Sequence, residues 1–198
     1  MIIGLNGYKR SGKDTAAAYL EAAYGFKRLR FAGLLYESAA AVFGLPASTL
    51  EDYKDDPRAS IEIWLPQGGD QQVFVSLTIR EYLQRYGTEA HRDVFGQQFW
   101  VDQLLHAGGL KDTELYAISD ARFSNELVAI RALGGINVRI ERDVADGDAH
   151  ASETPPSPEL VDVTIDNTRD LDWLYDQLDA LCIGRWIQPL DVLTGSQE

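Results

Sequence analysis

Apolar positions along this chain alternate between short strand-like runs and helical stripes. The run Met1-Ile2-Ile3-Gly4-Leu5-Asn6 suits a buried strand. Gly7 to Gly12 then form a glycine-bounded loop, and Asp14 to Tyr24 carry Ala16, Leu20, Ala23 and Tyr24 at helical spacing. Phe26 to Phe31 reads as a second strand, and an alanine-rich helix is expected from about Ala32 to Phe43. The segment from Pro46 to Pro57 is polar and reads as a connection. Ile61–Leu65 and Val73–Val75 flank Gln67-Gly68-Gly69-Asp70, a hairpin signal. Two helices are predicted next, one over Thr78–Tyr86 and one carrying Phe95, Phe99, Val101, Leu104 and Leu105 up to Gly108-Gly109.

The last third repeats the alternation. Leu115–Ser119 is a strand ending in Asp120, and a helix with Phe123, Leu127, Ile130 and Leu133 on one face closes at Gly134-Gly135. Ile136, Val138 and Ile140 alternate as a strand, whereas residues 142–159 are rich in Asp, Gly, Ser and Pro and read as a mobile loop. Val161, Val163 and Ile165 give a final strand, and Leu171, Leu174, Leu178 and Leu181 a final helix. Strands alternating with helices imply an α/β protein with a largely parallel sheet.

Composition narrows the function classes. The 198 residues make about one domain, with 45% hydrophobic residues arguing against disorder. A net charge of −13 disfavours nucleic acid and anionic lipid as partners unless basic residues are gathered locally. The single cysteine, Cys182, excludes an intramolecular disulfide and any multi-cysteine metal site. No run reaches the length of a membrane span and no signal peptide is legible, so a soluble cytoplasmic protein is expected.

The strongest chemical signal is Gly7-Tyr8-Lys9-Arg10-Ser11-Gly12-Lys13-Asp14-Thr15, a G-x-x-x-x-G-K phosphate loop between a strand and a helix. Glycines let successive amides curl toward phosphate oxygens, and the helix N-terminus adds a positive dipole end. Lys13 is placed to reach the transferred phosphoryl group, with Lys9 or Arg10 beside the phosphates. Where the common motif has a hydroxyl directly after the lysine, this chain has Asp14, and the hydroxyl follows at Thr15. That departure weakens a GTPase or motor-ATPase reading. Asp14 and Asp120 are the candidate magnesium residues, Asp120 because it ends a strand; capping the next helix is the other reading of Asp120, and the two roles do not exclude each other.

The phosphate loop resembles that of phage-type deoxynucleoside monophosphate kinases. So do Tyr86-Gly87-Thr88-Glu89 with Arg92, Phe99-Trp100-Val101, Ser119-Asp120-Ala121-Arg122-Phe123-Ser124-Asn125-Glu126 and, more weakly, His150-Ala151-Ser152-Glu153. These pieces follow the family's order from residue 3 to about 168. The resemblance implies a three-layer α/β P-loop kinase fold with a monophosphate-binding region and a lid. It also implies transfer of the ATP γ-phosphoryl, with Mg2+, to a 5′-deoxynucleoside monophosphate for DNA precursor synthesis. A phage enzyme of this kind would act in the host bacterial cytoplasm, and a homodimer is open at family level. On this reading residues 1–198 are a single kinase domain, with a monophosphate-binding insertion over about 32–112 and a lid over 142–159.

The acceptor of such a reaction has a second pKa of about 6, so it is already an oxyanion and needs no general base. Cations must instead offset charge repulsion and align the groups. Arg80 and Arg92 are the candidates for the acceptor phosphate, Arg122 for either nucleotide, and Arg142 for a charge arriving with the lid; Arg139 also stands beside a motif segment. Glu89 either bonds base, sugar or arginine, or caps a helix. Phe31 and Trp100 either stack on a base or fill the core. His91, His106 and His150 show no metal-ligand spacing. Two other readings remain at this stage: a phosphomevalonate-kinase-like enzyme, with a similar loop, and a non-kinase protein using ATP as a switch.

Overall fold

A computed structural model describes residues 1–66, 72–142 and 157–185. The turn expected at Gln67–Asp70, most of the expected lid with the His150–Glu153 segment, and the tail from Trp186 lie outside the described residues. Contacts divide the chain into two compact units, one formed by Met1–Arg30 with the residues from Leu105 onward and one by Phe31–Leu104.

The first unit is built on five strands: β1 (Ile2–Asn6), β2 (Lys27–Leu29), β5 (Tyr116–Ile118), β6 (Ile136–Glu141) and β7 (Val163–Asp166). Their order is β2-β5-β1-β6-β7 and every pairing is parallel. The chain steps to one side of β1 first, then from β5 across β1 to β6. With right-handed crossovers, that reversal sends the connecting helices to opposite faces. Accordingly α1 (Lys13–Tyr24) packs with α8 (Leu171–Ile183), while α7 (Ser124–Ala132) packs against β1 and β6. This is the α/β architecture with a mainly parallel central sheet that the alternating pattern predicts.

Why α1 and α8 lie so close is legible in their buried faces. Ala16, Ala17, Leu20 and Tyr24 meet Leu174, Leu178 and Cys182 in one core with Ile3, Leu5, Val138 and Ile140. At the edge of that core the Tyr19 and Tyr24 hydroxyls both donate to Asp179 Oδ1, at 2.6 and 2.7 Å, and the Tyr19 and Tyr175 rings stack 4.0 Å apart. Burial, reinforced by the bond to the Asp179 carboxylate, raises both phenol pKa values. On the other face, α7 crosses β1 at Gly4, where a Cβ would stand 2.5 Å from Ile130 Cδ1. Any side chain there would have to displace the Ile130 terminal methyl.

The second unit pairs helices with an antiparallel hairpin. It contains α2 (Phe31–Ala41), α3 (Ala47–Tyr53), β3 (Ser60–Pro66), β4 (Gln72–Thr78), α4 (Ile79–Gln84), α5 (Asp93–Phe95) and α6 (Phe99–Asp102). Its core gathers Tyr36, Ala39, Ala40, Leu50, Ile61, Leu77, Ile79, Tyr82 and Leu83. Two expectations are corrected here. The polar stretch after Pro46 is not a plain connection: residues 47–53 form α3, whose single apolar anchor, Leu50, is fully buried. One buried position in seven residues leaves no periodicity to read. The helix expected to carry Phe95 and Phe99 together is broken at Gly96, whose φ of 104° no helix accommodates.

Burial pushes the Cys182 thiol up to about 11, so little thiolate exists near neutrality. Native protein at pH 8 should therefore react with a thiol reagent only as fast as the α1–α8 core opens, and denatured protein at once. Stoichiometric labelling of native protein within the mixing time would contradict this packing.

Candidate active site

All strands of the sheet being parallel, their carboxyl ends lie along one edge, which gathers four connections. The loop after β1, Asp120 after β5, Arg142 after β6 and Asn167 after β7 all belong to it. The loop at β1 occupies the point where strand order reverses, the position at which open α/β sheets hold ligands.

Residues 7–12 need unusual backbone geometry. Gly7 and Gly12 have φ of 139° and 106°, and Arg10 adopts a left-handed φ of 64°. A Cβ on Gly7 would lie 2.4 Å from the Ile140 carbonyl oxygen, and one on Gly12 would lie 2.4 Å from Asn167 Nδ2. Asn167, buried at the end of β7, donates through Nδ2 to the Ser11 carbonyl at 2.7 Å and so ties the loop to the sheet. Helix α1 starts at Gly12 without a side-chain cap. Its first-turn N–H groups, and the dipole behind them, suit an anion.

Lys13 is buried, and its ammonium donates to the Gly7 and Tyr8 carbonyl oxygens at 2.9 and 2.6 Å. These two bonds hold the ammonium inside the curl of the loop. Ser119 Oγ donates to Asp14 Oδ1 at 2.9 Å, which fixes the carboxylate beside the end of β5. Asp120 follows Ser119 in the turn after β5, so the Ser119–Asp14 bond places it near the start of α1. The two expected magnesium residues are thus brought together. Their carboxylates are hard oxygen donors of the kind that fits Mg2+, which takes one or two carboxylates plus phosphate oxygens. Among the described residues no group of three or more His, Cys, Asp or Glu could hold a metal by itself.

The Asp120–Glu126 string has a mechanical basis. Glu126 is buried, and its Oε2 accepts from the backbone N–H of Arg122 at 2.7 Å and of Phe123 at 3.0 Å. That caps α7, whose N-cap position is Phe123 and not Asp120, and fixes the backbone that carries the exposed Arg122. Arg139 Nε donates to Asn6 Oδ1 at 3.3 Å, just below the loop.

A recess of about 510 Å³ opens beside the loop, lined by Gly12, Thr15, Arg142, Asn167, Arg169, Asp170, Leu171 and Asp172. Arg142 therefore stands with the phosphate loop. Sequence reasoning missed Asn167 and residues 169–172, which follow the edge strand β7 and run into the start of α8, although their place after the carboxyl end of a parallel strand was a usable signal.

The second unit holds its own recess, about 280 Å³, lined by Leu35, Tyr36, Lys54, Arg80, Leu83, Gln84, Gly87, Thr88 and Arg92. Arg80 and Arg92 meet there for a reason no α-helical periodicity reveals. In an α-helix, twelve residues would turn one roughly 120° from the other. Residues 85–92 instead wind as a π-helix, whose wider turns take up that rotation. Trp100 Nε1 donates to Gly87 O at 3.0 Å and His91 Nδ1 to Tyr86 O at 2.5 Å, while a Cβ on Gly87 would press on Leu35 at 3.1 Å. Arg80 is ion-paired with Asp55, and Thr78 and Glu81 form a capping box that starts its helix. The Thr78 backbone N–H and hydroxyl lower the Glu81 carboxyl pKa. Of the other expected substrate residues, Phe31 and Trp100 are buried, and Glu89 is exposed and outside the recess lining.

The model of the deoxynucleotide monophosphate kinase family matches residues 68–178, more than half of the chain. A protein of Acanthamoeba polyphaga mimivirus, provisionally named a deoxynucleotide monophosphate kinase, is 31% identical over 186 residues, covering 90% of this chain and 94% of its own. The chain belongs to the deoxynucleotide monophosphate kinase family. It is accordingly a phosphotransferase acting on a deoxynucleoside monophosphate, consistent with a phosphate loop in one unit and a cationic recess in the other. No helix among the described residues is long and apolar enough to cross a membrane.

Replacing Gly12 by alanine should cost about 1–3 kcal/mol from the left-handed φ alone, and the Cβ would also displace Asn167. The expected outcome is loss of nucleotide binding together with a lower denaturation midpoint, read by calorimetry and a denaturant titration. Unchanged nucleotide affinity would show that the Ser11–Asn167 tie does not shape the loop.

Proposed function

We propose that the enzyme transfers the γ-phosphoryl group of ATP to a 5′-deoxynucleoside monophosphate, supplying diphosphates for DNA synthesis in a host cytoplasm. The observation that carries the reading is the buried Lys13 ammonium, held on main-chain carbonyls at the uncapped start of α1. A phosphate chain seated on residues 7–15 receives backbone amides, the helix dipole and Lys13 without reorganisation, as stabilisation of a spreading anionic charge requires. Gly7, Lys9, Arg10, Ser11, Gly12 and Thr15 are assigned to the donor phosphates. The neighbouring recess at Arg142, Asn167 and Arg169 takes the donor's nucleoside.

Magnesium bound at Asp14 and Asp120 would neutralise phosphate charge and orient the transferred group. The protein's own groups do the rest. Ser119 fixes the Asp14 carboxylate through its hydrogen bond, and Glu126 holds the backbone that presents Arg122 to the reacting phosphates. Arg80 and Arg92 take the acceptor phosphate, whose oxyanion is already formed at neutral pH, so no side chain has to remove a proton. Glu89, Phe31 and Trp100 remain assigned to the acceptor side, Trp100 through its bond to Gly87 in the recess wall.

The test is a coupled ADP-release assay with ATP and magnesium, offering each deoxynucleoside monophosphate, the matching ribonucleotides and phosphomevalonate separately, beside a no-acceptor control. Turnover dependent on deoxynucleotides is expected. Equal slow hydrolysis in every well would overturn the kinase reading in favour of a switch, and turnover with phosphomevalonate alone would replace the acceptor. In the same assay Lys13→Ala should lower turnover about 10²- to 10³-fold, the usual loss when one preorganised donor is removed. Near-normal turnover would remove Lys13 from the transfer step. Arg92→Lys should raise the acceptor KM more than the donor KM, because the bidentate fork is lost; equal KM values for wild type and variant would take Arg92 out of the acceptor site.

A further inference from the structure

The acceptor recess contains a cation that the phosphate chemistry above has not used. Lys54 follows α3 and lines the recess with Arg80 and Arg92. Its neighbour Asp55 is ion-paired with Arg80. Lys54 itself faces no carboxylate within ion-pair distance among the described residues; its Nζ lies 5.4 Å from the centroid of the Tyr36 ring. In a chain of net charge −13, a half-buried ammonium set over an aromatic face and, among the described residues, not ion-paired is conspicuous.

We propose that Lys54 is a third cation of the acceptor site, contacting the monophosphate and held in place by Tyr36. This rests on the reading of the recess as the acceptor site. An aromatic face attracts an ammonium through its quadrupole but leaves its charge intact, so the cation is oriented without being neutralised. The arrangement also limits the rotamer freedom that a long side chain would otherwise lose on binding. Arg80 differs, because an incoming phosphate must compete with Asp55 for its guanidinium. Lys54 needs no such exchange, and its compact charge can follow whichever phosphate oxygen approaches, where a guanidinium fork demands one alignment. The consecutive pair Lys54-Asp55 thus sets one available cation beside one that the anion must win.

Lys54→Met keeps the stem against Tyr36 and deletes the charge, and Lys54→Arg restores it. With saturating donor, Lys54→Met should raise the deoxynucleoside monophosphate KM about 10- to 100-fold, the usual cost of a lost charged hydrogen bond. The donor KM and the thermal midpoint should stay unchanged, and Lys54→Arg should recover most of the acceptor affinity. Inorganic phosphate binding, measured by calorimetry, should weaken in Lys54→Met in parallel. An unaltered acceptor KM would reduce Lys54 to a helix-end cation. A loss of thermal stability with both KM values raised would make its role structural, and either result overturns the proposal. If the wild type showed no monophosphate-dependent turnover, the function above would fall. Phosphate binding would then decide Lys54 alone: Lys54-dependent binding would support it and Lys54-independent binding would overturn it.

Discussion

The ammonium of Lys13, buried and bonded to the Gly7 and Tyr8 carbonyls, is the interaction on which the phosphate loop is organised. A buried cation is tolerated only where oxygen acceptors surround it. The loop supplies those oxygens by curling, and it can curl because Gly7 and Gly12 adopt φ values that side chains resist. The curl in turn brings the Ser11 carbonyl to Asn167 and leaves the first turn of α1 uncapped. Each element is costly alone; together they form a preorganised anion site.

The parallel sheet sets where that site meets its partners. Because β5, β6 and β7 run in the same direction as β1, Asp120, Arg142 and Asn167 arrive at the same edge as the loop from distant parts of the sequence. Hydrogen bonds then set the fine positions, Ser119 to Asp14 and Glu126 to the backbone before α7. The second unit solves a different problem, assembling cations in an acidic chain. It does so on a π-helical winding and a short helix, and keeps Asp55 and Tyr36 close enough to hold Arg80 and Lys54.

The α/β class, the phosphate loop and the identity of the D-x-R-F-x-N-E string were legible in the sequence because each is a local pattern. Strand alternation, glycine spacing and helical stripes operate over a few residues, and their physics is that of backbone sterics and one buried face. The sequence likewise named Lys13, Asp14 and Asp120, since the loop motif and a strand ending in an acid are both visible in a line of residues. Even Glu126, unassigned on its own, lay inside a string that marked its importance.

Tertiary structure alone decided the rest. Asn167 touches Ser11 across 156 residues, and no local pattern predicts that pairing. Arg80 and Arg92 share a recess only because residues 85–92 wind wider than an α-helix, under packing from Leu35 and Trp100 that periodicity cannot register. Helix α3 stayed hidden because a single buried leucine stabilises it, and with it stayed hidden the place of Lys54. Local sequence determines which backbone shapes are affordable, whereas long-range packing determines which side chains those shapes bring face to face.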